Sequence, residues 1–177
     1  MENSDVITLV LISLIPAALV FGANMLIIKR FFEKEKNERR NDLSEINRKK
    51  TLPLRLQAYE RLVLYLERIN PENSILKTYK AGMSANLLQA ELLKQIRSEF
   101  DHNMAQQVYI SDQVWDIIKT AKEETIKIIN IAAQQCKAGS TGVDLSNNIY
   151  KITSEIKELP TIIASKALKK EARILFR

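Results

Sequence analysis

The chain begins with an apolar run that contains no charged residue. Residues 6–28 read VITLVLISLIPAALVFGANMLII, and a helix of that length, rising about 1.5 Å per residue, would be about 34 Å long. This is enough to cross a hydrocarbon core about 30 Å thick. A cleaved secretory signal has a basic start and a shorter run, whereas here the acidic Glu2 and Asp5 precede a longer one. The pattern therefore favours an uncleaved transmembrane helix over a signal peptide or a core helix of a soluble protein.

Basic residues follow the apolar run at once and set its predicted direction. Residues 29–50 contain nine Lys and Arg residues, and none precedes the run. By the positive-inside rule, the N-terminus should face outwards and the rest of the chain should lie in the cytoplasm. We interpret the charged segment as either a solvated helix or a disordered spacer. It is expected to end at Thr51, Leu52 and Pro53, because a residue before proline disfavours the helical region.

From residue 52 onwards, apolar residues recur at the spacing of helices. These residues form apolar stripes, one on each predicted helix. The stripes are separated by residues that end or cap helices: Pro71, Ser84, Ser111, Gly139, Asp144 and Pro160. None of the four or five resulting helices can bury its stripe alone, so they should pack as an antiparallel bundle. The predicted core consists of the stripe residues Leu56, Tyr59, Leu62, Val63, Leu66, Ile69, Ala85, Leu88, Leu92, Ile96, Phe100, Val114, Ile117, Ile118, Ala121, Thr125, Ile128, Ile129, Ala132, Cys136, Leu145, Ile149, Ile152, Ile156 and Leu159.

The predicted fold class is therefore all-α, a single N-terminal transmembrane helix followed by a cytoplasmic antiparallel helical bundle. Residues 1–28 form the N-terminal tail and transmembrane helix, residues 29–51 the charged juxtamembrane helix or linker, and residues 52–177 the bundle. A lone cysteine, Cys136, excludes an internal disulfide, which fits a reducing cytoplasm. All 27 Lys and Arg residues lie after Ile28, and such a basic body suits the neighbourhood of an anionic leaflet.

The sequence shows no catalytic, cofactor-binding or metal-binding constellation. Glu99 and His102 have the Glu-x-x-His spacing of di-iron bundles, but such a site needs a second motif and two further carboxylates, and His102 is the only histidine. Cys136 lies on an apolar stripe, which is typical of a buried, inert thiol. Gly-rich phosphate loops and hydrolase motifs are absent from the sequence. We expect no enzymatic activity and no cofactor; the alternative is a small membrane-bound enzyme or a metal-binding bundle.

Two features break the pattern of the stripes. Asn103 and Gln107 continue the helical face of the preceding apolar residues, with Glu99 nearby. Since buried amides need hydrogen bonds, these residues form either a rim where the bundle opens or a buried polar network that fixes helix register. Leu64 is the opposite case, because it lies among the charges of its helix. It is either a contact for a partner or part of a broader buried face.

The last predicted helix carries positive charge on one side. Its basic residues share one direction: Lys166, Lys169, Lys170, Arg173 and Arg177. Leu168, Ala172 and Leu175 point the other way, and only Glu171 offsets the charge. This surface is either an ordinary solvated face or a contact for anionic lipid or a partner. Nucleic acid is not an expected partner, because no aromatic residues are interleaved for base stacking.

Two stretches resemble a known family. LPLRLQAYERLVLYLERINP (52–71) and IRSEFDHNMAQQVYISDQVW (96–115) resemble an uncharacterised family of single-pass membrane proteins from Bacteroidota, and the residues EFDHN, QQ, YIS and W are its most specific part. The resemblance spans most of the chain, including the apolar run. It implies a helical cytoplasmic domain held at the bacterial inner membrane. It implies no assigned activity and no functional residue.

These features predict a non-enzymatic, membrane-anchored scaffold or adaptor that presents a cytoplasmic helical bundle to a protein partner. A lipid-surface regulator that acts through the basic last helix is the second hypothesis. The expected partners are the lipid bilayer and a protein. A homo-oligomer is left open, because the small-residue pairs Ser13/Ala17 and Ala18/Gly22 permit close approach of two anchor helices.

Overall fold

The structure, a computed structural model, describes the backbone of residues 2–175 and the side chains of residues 21–22, 24–36, 45 and 49–175. Its elements are α1 (Glu2–Ile69), α2 (Pro71–Thr78), α3 (Ala85–Asn103), a 3₁₀ helix (Met104–Tyr109), α4 (Asp112–Gln134), α5 (Gly142–Glu155) and α6 (Pro160–Ile174). No β-strand occurs between residues 2 and 175, so the expected all-α class is confirmed for this part of the chain.

Helix α1 passes through a position where the sequence predicts a break. The helix is continuous over Glu2–Ile69, so the expected end at residues 51–53 is wrong and residues 29–50 are helical. Proline lacks the N–H that would bond the carbonyl four residues earlier, which here belongs to Lys49. Because Lys49 and Pro53 are both exposed, water can bond that carbonyl and the helix continues.

The chain divides into two compact units, residues 1–50 and residues 51–177. The first unit exposes every large apolar side chain that is described in it: Phe21, Met25, Leu26, Ile27, Ile28, Phe31 and Phe32. Among the described residues, no helix has the length and apolar character needed to cross a bilayer. Most side chains of the predicted transmembrane run, including those of Ser13, Ala17 and Ala18, lie outside the described part of the chain.

The second unit is a helical bundle with one apolar core. Helix α4 packs against α3, α5 and α6, and α2 packs against α3 and α5. Every stripe residue predicted from the sequence is buried or half-buried, so the predicted core is confirmed. The structure adds an aromatic cluster in which Phe100 stacks on Trp115, with ring centroids 5.4 Å apart, and meets Tyr65 at 6.0 Å.

Two hydrogen bonds define the direction of α6 relative to the end of α1. Tyr59 bonds Glu171 near the end of α6, whereas Asn70, just past α1, bonds Thr161 near the start of α6. The two segments therefore run antiparallel. This arrangement places the first turn of α4 beside the last turn of α6, where Ser111 also bonds Glu171.

The helix starts follow local capping chemistry. As predicted, Ser84 caps α3 and Ser111 caps α4, each accepting a hydrogen bond from a backbone N–H three residues later. The expectation that Asp144 caps α5 is wrong by three residues. Thr141 is the cap, and Asp144 completes a capping box by accepting a 2.7 Å bond from the N–H of Thr141.

Candidate functional site

The predicted polar network at the end of α3 does not form as expected. Asn103 is buried, but its amide donates a 2.8 Å hydrogen bond to the backbone carbonyl of Glu99 in its own helix. Gln107 is exposed, so its inclusion in a buried network is wrong. The reason is local: α3 ends at Asn103 and the chain continues as a 3₁₀ helix with about three residues per turn, which rotates Gln107 off the face.

Glu99 instead connects α3 to α1. Its carboxylate accepts bonds of 3.1 and 3.3 Å from one guanidinium nitrogen of Arg68. The Arg68 side chain is 48% exposed, so this ion pair contributes only about 0–1 kcal/mol. Its effect is to fix the position of the Arg68 side chain at one wall of a cleft.

This cleft lies between α1 and the last turns of α3 and has a volume of about 360 Å³. Its lining residues are Arg61, Leu64, Arg68, Ser98, Glu99, His102 and Asn103. Leu64 is 47% exposed, so the alternative that it belongs to a broader buried face is wrong. Among the side chains of residues 49–175, the guanidinium of Arg61 has no ion-pair partner, whereas Glu99 is already paired with Arg68. The cleft is thus mostly polar, with one exposed apolar side chain, Leu64, beside the unpaired guanidinium of Arg61.

The side chains of Glu99 and His102 contact other groups rather than each other. Glu99 faces Arg68, and Nδ1 of His102 lies 2.8 Å from the carbonyl oxygen of Ser98. The described residues contain no group of three or more His, Cys, Asp or Glu side chains that could hold a metal ion. Cys136 is half-buried, with its sulfur 3.4 Å from the amide of Asn148.

Four of the five basic residues predicted on one side of the last helix lie in α6 among the described residues. Lys166, Lys169, Lys170 and Arg173 are exposed, and Arg177 lies outside the described residues. Lys166 forms an ion pair with Glu158, just before α6. The other three form no ion pair with any described side chain of residues 49–175.

Glu171 does not pair with the basic residues of α6, contrary to the expectation that it offsets their charge. Its carboxylate accepts hydrogen bonds from the hydroxyl of Tyr59 at 2.7 Å, the backbone N–H of Ser111 at 2.9 Å and the hydroxyl of Ser111. Burial would raise the pKa of Glu171, but these hydrogen bonds and the nearby Arg55 outweigh it and lower the pKa. No sequence pattern near Glu171 signals these partners, which come from helices distant along the chain.

Comparison with known proteins places the chain in a family. A model of a family of unknown function, DUF7935, matches residues 5–175. The chain belongs to this family. The expected membership of an uncharacterised family is thereby confirmed, while its membrane anchoring and its origin in Bacteroidota stay predictions. No curated protein and no solved structure matches the chain.

Proposed function

We propose that this member of DUF7935 is a non-enzymatic, membrane-anchored adaptor that presents its helical bundle to a protein partner in the cytoplasm. The observation that carries the proposal is the exposed Leu64 in the cleft between α1 and α3, bordered by Arg61 and Arg68. Arginine is enriched among the residues that dominate binding energy at protein interfaces, and burial of Leu64 against a partner would remove apolar surface from water.

The charges of the cleft indicate the chemistry of the partner. Arg61 is unpaired among the described side chains, and the one acidic group of the cleft, Glu99, is engaged by Arg68. A partner segment with an apolar side chain next to a carboxylate would bury Leu64 and pair Arg61. Charge-assisted hydrogen bonds from a guanidinium to a carboxylate are about twice as strong as neutral ones.

The anchor is supported by the sequence. The uncharged run at residues 6–28 has the length of a bilayer span, and all nine basic residues near it follow it. We propose that this run holds the chain in the bacterial inner membrane with the N-terminus outside. The bundle would then meet partners at the cytoplasmic surface of the membrane.

Site-specific crosslinking in cells tests the adaptor proposal. A photoreactive amino acid replaces Leu64 in one variant and Leu87 in the control, since these leucines are exposed to similar degrees, 47% and 49%, and Leu87 does not line the cleft. We expect a discrete crosslinked species from position 64 only. Arg61→Glu should lower its yield about tenfold, because interface arginines often contribute more than about 1 kcal/mol.

Two results would contradict the proposal. One is the same set of crosslinked proteins from positions 64 and 87, which would indicate random collision. The other is a species from position 64 whose yield is unchanged by Arg61→Glu, which would show that the charge of the cleft plays no part in recognition.

A further inference from the structure

The outward side of α6 has an unusual composition. At about 100° per residue, seven exposed residues of this helix lie within an arc of about 140°: Lys166 and the set of Ile162, Ile163, Lys169, Lys170, Arg173 and Ile174. We name this set the basic isoleucine face. Lys166 lies within the same arc and is paired with Glu158. Every described residue of α6 on this arc is thus either isoleucine or a cation.

The positive charge of this face is uncompensated. The only acidic residue of α6, Glu171, is turned towards Tyr59 and Ser111 and lies on the other side of the helix. Among the described side chains of residues 49–175, no ion pair involves Lys169, Lys170 or Arg173. The internal hydrogen bonds of Glu171 therefore leave Lys169, Lys170 and Arg173 without an acidic partner on α6, and Glu67 of α1 is the acidic residue that lies in one groove with Ile162 and Lys169.

The isoleucines are not part of the core. Ile162, Ile163 and Ile174 are 40%, 47% and 64% exposed, while Ala164 and Leu168 on the opposite side are fully buried. A single exposed apolar residue is ordinary, but here the three share one arc with the cations and no neutral polar residue separates them. Water solvates the cations of this face but not its isoleucines, whereas a ligand with both negative charge and an apolar phase matches both components.

We infer that the basic isoleucine face binds a lipid surface that carries anionic headgroups. Lys169, Lys170 and Arg173 would approach phosphate groups, and the isoleucines would enter the boundary between headgroups and acyl chains. A nucleic acid offers phosphates but no apolar layer for three isoleucines, and the face has no aromatic residue on which bases could stack. The inference concerns α6 alone and does not rest on the proposed adaptor function or on the proposed anchor.

The test attaches a fluorescent reporter to the basic isoleucine face of the full-length chain. Ile163→Cys, in a Cys136→Ser background, carries an environment-sensitive fluorophore, and the vesicles carry a lipid-attached quencher. The chain is combined with vesicles of phosphatidylcholine alone or of phosphatidylcholine with phosphatidylglycerol. We expect quenching and a blue shift in the anionic vesicles only, with a loss of both as salt screens the charges. The reporter senses α6 itself, so the result is independent of whether another segment enters the bilayer.

Charge variants identify the groups responsible. Lys169→Gln, Lys170→Gln and Arg173→Gln together should weaken lipid contact about a hundredfold, because each basic residue near an anionic surface contributes about a factor of five. A control that removes three exposed cations elsewhere, Lys77→Gln, Lys80→Gln and Lys151→Gln, should leave it unchanged. Lys169→Arg with Lys170→Arg should retain it. Circular dichroism checks that each variant has the same helix content and melting temperature.

Several results would overturn the inference. The first is a reporter that is not quenched in anionic vesicles, and the second is quenching of the same extent in neutral and anionic vesicles. The third is a loss of lipid contact in the control triple variant as large as in the variant of Lys169, Lys170 and Arg173. A reporter that responds to added DNA or to a soluble acidic protein, but not to vesicles, would assign the face to that class of partner instead.

Discussion

The hydroxyl of Tyr59 donates a 2.7 Å hydrogen bond to the carboxylate of Glu171, although 112 residues separate the two. The same carboxylate bonds the backbone N–H of Ser111 at 2.9 Å, so one side chain of α6 fastens α1 and the start of α4. Arg55 adds to the cluster by donating to the Tyr59 hydroxyl at 3.3 Å and to the carbonyl of Tyr109 at 3.2 Å. The cluster joins three helices and turns the one acid of α6 away from its outer face.

Removal of Glu171 should therefore destabilise the bundle. Glu171→Ala leaves the donors of Tyr59 and Ser111 without their acceptor, and the expected cost is about 1–3 kcal/mol of the free energy of unfolding. Chemical unfolding of the full chain, followed by circular dichroism, measures it. Glu60→Ala is the control, because Glu60 is exposed on the same segment of α1 and should change stability by less than about 0.5 kcal/mol. Equal effects of the two changes would show that the Glu171 cluster contributes nothing.

The same cluster predicts how stability depends on pH. Despite burial, the hydrogen bonds lower the folded-state pKa of Glu171 below its ordinary value of 4.5. The carboxylate therefore favours folding above pH 4.5, and this contribution is lost as the pH falls through the lowered pKa. The melting-temperature difference between the unchanged chain and Glu171→Gln should shrink as the pH is lowered from neutrality to well below 4.5. Glu60→Gln should show no such convergence, and a constant difference for Glu171→Gln would contradict the prediction.

The polar end of α3 supplies a matched pair of variants. Asn103→Leu removes the donor to the Glu99 carbonyl in a buried position, and we expect a cost of about 1–3 kcal/mol. Gln107→Leu changes an exposed residue and should be close to neutral. Urea unfolding of the two variants compares them directly. A larger cost for Gln107→Leu than for Asn103→Leu would mean that the 3₁₀ helix does not turn Gln107 outwards in solution.

The burial of each core side chain predicts how much its truncation to alanine lowers the free energy of unfolding. Leu92 and Ile129 are fully buried, so Leu92→Ala and Ile129→Ala should each cost about 2–5 kcal/mol. Ile152 is only half-buried, and Ile152→Ala should cost less than either. Glu123→Ala, on the exposed side of α4, should change the free energy of unfolding by less than about 0.5 kcal/mol. Similar changes in the free energy of unfolding for Ile129→Ala and Glu123→Ala would show that the buried face of α4 is assigned wrongly.

The proposed anchor predicts a topology. A tag placed after Glu2 should be digested when protease is added to intact spheroplasts, whereas a tag after Arg177 should be protected, because the basic residues follow the apolar run. Protection should end when the membrane is permeabilised. Digestion of the C-terminal tag in intact spheroplasts would reverse the orientation. Recovery of the chain in the supernatant of a high-salt wash without detergent would rule out the anchor.

The sequence by itself determined the helical class of residues 51–175, the starts of α3, α4 and α6, and most of the buried faces. Ser84 and Ser111 begin helices and Pro160 opens the last one because caps and proline act on the backbone of their own turn. Leu92 and Ile129 are buried because a 3.6-residue period places them on an apolar stripe that water disfavours. These features depend on neighbours within about one or two turns of the chain, so the order of residues is enough to predict them.

Tertiary structure decided the roles of the polar and isolated residues. Whether Glu171 offsets the charge of α6 or bonds Tyr59 and Ser111 depends on which helices pack beside it, and no local pattern encodes that. Leu64 borders an open cleft because no other described helix covers that side of α1. A hydrogen bond needs its partner within about 3 Å and in a narrow range of angles. Such a contact is set only when helices distant in the chain have taken their places.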